Sequence, residues 1–200
     1  MSRYGLTGGI AAGKSEVAQR LGEHGAVVID HDVLARRAVE PGSEGLARIV
    51  QEFGSGVVSA DGSLDRSALG ALVFADNDAR ARLNAIVHPA VHALADVAER
   101  VALEDNRIVI HDIPLLVETG QEKNFDGVIV VEAPREVRIG RMVSNRGMSR
   151  EEAIARISAQ ASDERRRDAA DFLLVNDGSR AELMRSIDEV WERILRATSA

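Results

Sequence analysis

The stretch LTGGIAAGKS, residues 6–15, decides the fold of this chain. From Gly8 to Ser15 it matches G-x-x-x-x-G-K-S, the phosphate-binding loop that joins a strand to a helix. The run Arg3–Thr7 before it has the apolar character of a buried strand. Residues 14–23 after it have helical periodicity that stops before Gly25, a suitable glycine for a helix end. Because both flanking elements accompany the motif, the sequence predicts a loop that binds the phosphates of a nucleotide.

Each part of this loop has its own task toward a polyphosphate. The backbone amides curl inward, and the amino end of the following helix adds partial positive charge. Lys14 is expected to reach the β and γ oxygens of the nucleotide, and the Ser15 hydroxyl to ligate Mg²⁺. The other expected nucleotide contacts, made mainly by backbone groups, are Gly9, Ala11, Ala12, Gly13 and Glu16.

A candidate carboxylate follows a second apolar run. Residues 108–112, IVIHD, form an apolar strand that closes on Asp112, which suits an indirect role at the metal beside the phosphates. Apolar runs that end in aspartate also simply begin loops, and Glu118 is an equally good candidate for the same role. The sequence alone leaves these alternatives open.

Five apolar runs separated by helical patterns predict a parallel sheet. They are mostly continuous rather than alternating, as in strands that are buried on both faces. The predicted strands are residues 3–7, 26–30, 107–113, 127–132 and 172–175. Helices are predicted at 14–23, 135–145 and 180–196, and Ser149 and Ser179 each begin a capping-box pattern. This order of elements is typical of a doubly wound α/β core.

Two segments depart from the alternation of strands and helices. Residues 36–105 have helical periodicity and no strong strand, which predicts a helical insertion. Residues 135–167 hold nine arginines against five acidic residues, a local net charge of +4, while the rest of the chain carries −11. Arginines can clamp phosphates and neutralise the charge of a transferred phosphoryl group, although many here suit a solvated helix face. Arg141, two turns along its helix, is the one expected to point inward.

Composition excludes several classes of protein. The chain has no cysteine, which rules out disulfide scaffolds, thiolate zinc sites and thiol nucleophiles, and its histidines lack a metal-binding pattern. A net charge of −7 disfavours a nucleic-acid partner or an anionic membrane. No apolar run approaches membrane-spanning length, and glycines interrupt the N-terminus too early for a signal peptide, so we expect a cytoplasmic protein. The N-K-x-D motif of GTPases is absent, which favours a small-molecule kinase.

Two aspartates follow the second predicted strand. A carboxylate at this point could accept a proton from an attacking hydroxyl, and both Asp30 and Asp32 are candidates. Aspartate is also a favoured helix cap, so one of the two is expected to cap the helix that begins here. Farther along, Pro89 is expected to keep His88 in front of a helix rather than within it.

These motifs together resemble the bacterial dephospho-CoA kinases, a family of P-loop kinases. The segments that carry the resemblance are LTGGIAAGKS (6–15), VIDHDVLAR (28–36), LNAIVHP (83–89), DIPLLVE (112–118) and FLLVNDG (172–178), together with a spaced R…R…QA…R pattern whose QA is at 160–161. The resemblance implies an α/β fold with a three-layer P-loop kinase core, a five-stranded parallel sheet, a helical acceptor-binding insertion and a helical lid. The implied core comprises residues 1–35, 106–140 and 166–200, the acceptor domain 36–105 and the lid 141–165.

The resemblance also implies a reaction, in which ATP phosphorylates the ribose 3′-hydroxyl of dephospho-CoA. It assigns the catalytic base to Asp32, a place beside the adenine to Asn176, and catalytic contacts with the phosphates to Lys14 and Arg141. The acceptor-binding residues that it implies are His88, Pro114 and Leu115. This sequence departs from the family pattern at Glu16 and at 11–12, where two alanines replace the usual Gly–Ser. Since these positions contribute mainly backbone amides, we expect nucleotide binding to survive.

Two other functions are compatible with the motifs. One is a kinase for a different small hydroxyl acceptor, such as a nucleoside, a nucleotide or a sugar acid. The other is a binding module that ATP switches without catalysis. On the preferred interpretation the cofactor is Mg²⁺, and the partners are the small molecules ATP and dephospho-CoA. We expect no nucleic-acid or membrane partner, and a monomer or a weak homo-oligomer.

Overall fold

The computed structural model describes residues 2–198, except for the side chain of Leu103. Its strands are β1 (Arg3–Gly8), β2 (Val27–Asp30), β3 (Val109–Asp112), β4 (Gly127–Glu132) and β5 (Phe172–Val175). Its α-helices are α1 (Lys14–Glu23), α2 (His31–Arg37), α3 (Glu44–Phe53), α4 (Arg66–Ala75), α5 (Asn77–Glu104), α6 (Arg135–Arg146), α7 (Arg150–Ser158), α8 (Asp163–Asp168) and α9 (Arg180–Thr198). Short 3₁₀ turns lie at Ser55–Val57 and Glu122–Asn124.

The strands form one parallel sheet in the order β2–β3–β1–β4–β5, which confirms the predicted fold class. Alternate residues of β4 enter different clusters, because successive side chains of a strand point to opposite faces. Ile129 and Val131 pack with α1 and α9, whereas Val128 and Val130 pack with residues that follow β3. Helices and loops therefore bury the centre of the sheet on both sides, and β1 lies at its middle.

Strand β5 departs from the prediction that every strand is buried on both faces. Phe172 and Leu174 are buried, but the side chains of Leu173 and Val175 are 42% and 45% exposed. β5 is the last strand of the sheet, so one of its faces is left partly open to solvent. A continuous apolar run in the sequence does not distinguish an edge strand from a central one.

Two helices begin at the capping boxes that the sequence predicts. Ser149 and Glu152 form the predicted capping box of α7, and Ser179 and Glu182 exchange the same pair of bonds at the start of α9. Gly147 ends α6 in the left-handed region, with φ +63°. No helix within residues 2–198 combines the length and the apolar character that a bilayer crossing requires.

The chain divides into two compact units. One consists of the residues up to Ile29 together with those from Val101 onward, and the other is Asp30–Arg100. Within the second unit, α2 to α4 bury Leu34, Leu46 and Leu69, and the Arg82 guanidinium of α5 lies 2.7 Å from Glu52 of α3. Each unit thus has its own core and its own ion pairs.

Helix α5 corrects one expectation from the sequence. It runs without a break through Pro89, so His88 lies inside the helix and is exposed there. Proline removes a single backbone donor, a loss that a helix of 28 residues can accommodate. The restriction that proline places on the preceding residue is a tendency rather than a rule, and here it fails.

Candidate nucleotide-binding site

The predicted phosphate-binding loop lies between β1 and α1. Gly13 is the N-cap of α1 with φ +107°, and Ala11 also has a positive φ of +60°. The Ala12 N–H donates to the Gly9 carbonyl at 3.0 Å, which closes a turn within the loop. No side chain caps α1, so the amino end of this helix presents backbone N–H groups of the kind that bind phosphate.

Three glycines of this loop lie where a side chain would collide with a neighbour. A Cβ on Gly8 would lie 2.5 Å from the Val131 carbonyl oxygen of β4. A Cβ on Gly9 would come closer than 3.0 Å to the Arg138 guanidinium, and one on Gly13 would approach the Asn176 amide equally closely. Glycine at these positions lets β4, α6 and the loop after β5 approach the backbone.

The charged residues of the motif meet at the carboxyl end of β1. The Lys14 ammonium forms an ion pair with the Asp112 carboxylate, which ends the neighbouring strand β3 and is buried. Ser15 follows on the first turn of α1, with an exposed side chain. Lysine, hydroxyl and carboxylate thus lie around one phosphate loop, where ligands of open α/β sheets commonly bind.

Arg141 and Asn176 form hydrogen bonds with backbone carbonyls of the loop. The Arg141 guanidinium donates to the carbonyls of Ala11 and Ala12 at 3.1 and 3.2 Å, and to the Asn176 side-chain oxygen at 3.2 Å. The Asn176 amide in turn donates to the Ala12 carbonyl at 2.8 Å. These bonds occupy outward carbonyls of the loop, so they fix its shape without using its amides.

Comparison with known proteins identifies the family that shares these features. The family model for dephospho-CoA kinase matches residues 3–182. A dephospho-CoA kinase of Thermobifida fusca is 50% identical over 196 residues, covering 98% of this chain and 98% of that protein. The chain belongs to the dephospho-CoA kinase family.

Two solved structures share this fold, and one of them is a dephospho-CoA kinase. A crystal structure from Thermus thermophilus has a TM-score of 0.80 and 40% identity, covering 96% of this chain and 97% of that one. The dephospho-CoA kinase of Campylobacter jejuni has a TM-score of 0.74 and 26% identity, covering 98% of both chains. The sequence resemblance is therefore confirmed, and with it the P-loop kinase fold.

The second unit holds Asp32 and His88, two further residues that the family resemblance singles out. Asp30 is the N-cap of α2, and its carboxylate accepts the N–H groups of Asp32 and Val33 at 2.8 and 3.0 Å. The capping aspartate is thus Asp30, and the Asp32 side chain is exposed in the first turn of α2. The His88 side chain is exposed on α5.

Other residues expected to bind substrates have contacts of their own. The Pro114 carbonyl accepts the Thr7 hydroxyl at 3.2 Å, and the Leu115 side chain is 48% exposed. The Glu16 carboxylate, at the position where this chain departs from its family, forms an ion pair with Arg180 of α9. The Glu16 N–H donates to the Gly13 carbonyl at 3.1 Å in the first turn of α1.

Sequence reasoning missed a buried set of ion pairs beside the loop. Arg138 is 2% exposed and donates to Asp163 of α8 at 2.6 Å. Arg166, 3% exposed, donates to Asp163 at 3.4 Å and to Glu118 at 2.8 Å. Glu118 therefore binds Arg166 of α8, and its suggested indirect role at the metal stays a prediction.

Much of the arginine-rich segment is paired within the protein. Arg167 binds Glu132 at the end of β4 and lowers the pKa of that carboxyl below its ordinary value. Arg150 binds Glu136 of α6 at 2.8 Å, and Arg165 donates to the Val117 carbonyl at 2.9 Å. Charge counts along the sequence could not separate these structural arginines from those predicted to bind phosphate.

Proposed function

We propose that this chain transfers the γ-phosphoryl group of ATP to the ribose 3′-hydroxyl of dephospho-CoA, giving CoA and ADP. This is the last step of coenzyme A synthesis. The observation that carries the proposal is the match to the dephospho-CoA kinase family over residues 3–182, with the phosphate loop intact. In the transfer the hydroxyl O–H bond breaks, a P–O bond to the 3′ oxygen forms, and the bond from phosphorus to the ADP oxygen breaks.

The phosphate loop is the proposed site of ATP. The loop residues from Ala11 to Glu16 are proposed to bind the phosphates, mainly through amides that point into the loop, and Lys14 to neutralise the charge on the transferred group. Asn176, which binds the loop at Ala12, belongs to the segment that the resemblance places near the adenine. Arg141 is proposed to assist catalysis by holding the loop carbonyls and adding positive charge beside them.

The oxygen donors at the loop suit a magnesium ion. The Ser15 hydroxyl is a hard oxygen ligand, and Mg²⁺ usually binds one or two such groups together with substrate phosphates. The Asp112 carboxylate, which is paired with Lys14, would act on the ion indirectly. When bound, the ion would neutralise charge on the β and γ phosphates. Among the described residues no group of three or more histidine, aspartate or glutamate side chains could hold a metal alone.

Asp32 is proposed as the base that takes the proton of the 3′-hydroxyl. Because Asp30 supplies the helix cap, the Asp32 carboxylate is not used to hold the backbone of α2. His88, Pro114 and Leu115 are proposed to bind the acceptor, in line with the family resemblance. The acceptor domain at 36–105, the lid at 141–165 and the cytoplasmic location likewise stay proposals.

Release of ADP tests the reaction. A coupled assay should detect ADP with ATP and dephospho-CoA, and much less with adenosine, AMP or gluconate as acceptor. Activity with one of these acceptors alone would favour a different small-molecule kinase. ATP-dependent capture of a partner protein without acceptor-stimulated ADP release would instead indicate a nucleotide-switched binding module.

A further inference from the structure

The segment between α7 and α8 contacts the phosphate loop directly. The Ile10 N–H donates to the Gln160 side-chain oxygen at 2.8 Å, across 150 residues of sequence, and the bond is partly buried. Ile10 lies just before Ala11, the first of the amides proposed to bind phosphate. Gln160 lies in the spaced R…R…QA…R pattern of the family resemblance, which assigns it no role, and the reaction proposed above does not use it.

Apolar contacts reinforce this bond. The side chains of Ile10 and Ala11 pack against a cluster formed by Ile139 and Met142 of α6 and Ala153 of α7. The tip of the loop is therefore held both through its backbone and through its side chains by elements from the arginine-rich part of the chain.

Hydrogen bonds constrain the backbone next to Gln160. The next residue, Ala161, donates its N–H to Glu118 at 2.9 Å, and Glu118 also accepts Arg166 at 2.8 Å. Buried, charge-assisted bonds of this kind restrict the backbone on either side of them. The acceptor oxygen for Ile10 is thus presented from a constrained segment rather than from a free surface side chain.

The loop needs such support because of Ala11. A φ of +60° is unfavourable for any residue with a Cβ, and strained backbone persists only where its surroundings hold it. Arg141 holds the carbonyl of Ala11, and Gln160 holds the N–H of the residue before it. Ala11 thus lies between two side-chain anchors, one on each side of the strained residue.

We propose that Gln160 is a positioning residue, which keeps the phosphate loop in the conformation that binds nucleotide before the nucleotide arrives. Without its acceptor oxygen the loop would relax, and the nucleotide would then have to restore the strained conformation on binding. The proposal takes from the proposed function only that the loop binds ATP and ADP, and it goes beyond that function in assigning Gln160 a role.

Three variants test this role. Gln160→Met keeps the length of the side chain but removes the acceptor, and Gln160→Glu keeps an acceptor oxygen. Gln19→Met is the control, because it replaces glutamine by methionine at an exposed position of α1. Calorimetric titration should give a Kd for ADP and for ATP that rises roughly five- to tenfold in Gln160→Met, the effect of one lost hydrogen bond. Gln19→Met should match the wild type. Gln160→Glu, whose negative charge would itself weaken polyphosphate binding, should instead keep the wild-type rate of amide hydrogen exchange at 9–12 without nucleotide.

Two further readouts separate positioning from general stability. Without nucleotide, amide hydrogen exchange at 9–12 should be faster in Gln160→Met and unchanged in α9. In steady-state assays the KM for ATP should rise, while the KM for dephospho-CoA and kcat at saturation stay within about threefold, because a lost binding contact acts before the chemical step.

Several results would overturn the proposal. Gln160→Met with the ADP affinity of the wild type would do so, even if its melting temperature fell, and so would equally accelerated exchange at 9–12 in Gln160→Glu and Gln160→Met. Unchanged exchange at 9–12 would also refute it. A wild type that binds ADP but does not phosphorylate dephospho-CoA would contradict the proposed function alone, because ADP binding tests Gln160 without any acceptor.

Discussion

Two aspartates separated by one histidine divide the tasks of the turn after β2. Asp30 accepts two backbone N–H groups at the start of α2, so its carboxylate is committed to the helix. Asp32 accepts no such bond and is exposed on the first turn. Substitution of Asp32 should therefore lower catalysis, whereas substitution of Asp30 should lower stability.

Asp32→Asn should lower kcat by at least roughly a hundredfold, the usual scale for removing a general base. Its affinity for ATP should stay near the wild-type value, because the phosphate loop is unchanged. ADP release and calorimetric titration measure the two quantities. Near-normal turnover in this variant would contradict the assignment of Asp32 as the base.

Asp30→Ala serves as the matched control for that measurement. Loss of the cap should cost about 1 kcal/mol of unfolding free energy, while kcat should fall much less than in Asp32→Asn. If Asp30→Ala abolished turnover and remained folded, the division of tasks between the two aspartates would be wrong.

Gly9→Ala should destabilise the protein by about 1–3 kcal/mol, the usual cost of overpacking. The added Cβ would collide with the Arg138 guanidinium, which is buried and tied to Asp163 and so cannot simply move away. Urea unfolding gives the free energy. Because position 9 is not a glycine in the general motif, the loss would come from Arg138 rather than from the loop's own conformation.

Gly140→Ala is the control for Gly9→Ala. Gly140 lies inside α6, and a Cβ there would meet nothing within 4 Å. Alanine should therefore stabilise the helix by roughly 0.5–1 kcal/mol. Equal effects of the two substitutions would show that the Arg138 contact does not matter.

Sequence alone predicts the phosphate loop residue by residue because its chemistry is local. Lys14 and Ser15 are fixed by their spacing from Gly8, and the flanking strand and helix are visible as patterns. Arg138 and Gln160 escape prediction, since each acts on a residue more than a hundred positions away. An arginine on an amphipathic helix ordinarily faces solvent, so no local signal marks Arg138 as buried.

At the scale of elements, the contact of α1 with α9 joins the two ends of the chain. Arg20 of α1 holds Asp188 of α9 with two bonds, at 2.9 and 3.1 Å, and His24 lies 2.6 Å from the same carboxylate. His24 also stacks on Trp191, with ring centroids 5.7 Å apart. The bonds from Arg20, followed by that from His24, lower the pKa of Asp188 to about 2.

Asp188→Asn should lose stability near neutral pH but little of it in acid. A carboxyl whose pKa is lower in the folded protein stabilises the fold above its ordinary pKa of 3.8, and that stabilisation disappears as the pH falls toward about 2. The difference in urea midpoint between wild type and variant should therefore shrink as the pH falls from about 4 toward 2. It should be small, since the side chain is 40% exposed and solvent screens the pair.

Fluorescence of Trp191 measures this effect, because it is the only tryptophan in the sequence and lies beside the pair. Asp105→Asn, a change at an exposed loop position, should leave the midpoint unchanged at every pH. A gap that persists unchanged into acid would mean that the charge of Asp188 does not stabilise the contact of α1 with α9.

Most elements were predictable because each has a local signature. The continuous apolar runs of β1 and β4, and the capping boxes of α7 and α9, lie where the sequence predicts them. The exposed face of β5 was not predictable, because its place at the sheet edge depends on the order of all five strands. The passage of α5 through Pro89 likewise depends on a long helix around the proline.

At the scale of the whole molecule, the charge pattern looks different once the ion pairs are known. The sequence gives a net charge of −7 with an excess of +4 in residues 135–167. Within that segment Arg138 and Arg166 are buried against acidic partners, and Arg167 is paired with Glu132. The local excess therefore overstates the charge available to a phosphate, and the proposed nucleotide site relies on loop amides, Lys14 and Arg141.

The division into two compact units predicts how the two substrates affect the backbone. ADP should slow amide hydrogen exchange in the unit that contains the phosphate loop, at 9–16 and near 141 and 176, since ligand binding suppresses local opening. Dephospho-CoA should slow exchange mainly within 30–100, the unit that contains Asp32 and His88, and around Pro114. Mass spectrometry of peptides from each region distinguishes the two patterns.

The same measurement can reject the proposed acceptor domain without rejecting the enzyme. If dephospho-CoA left exchange within 30–100 unchanged but still stimulated ADP release, the acceptor would bind through the core, and His88 would lose its proposed role. Protection by ADP confined to 30–100 would contradict the nucleotide site itself. Because each compact unit has its own buried core, ligand protection should remain largely local, which makes these outcomes separable.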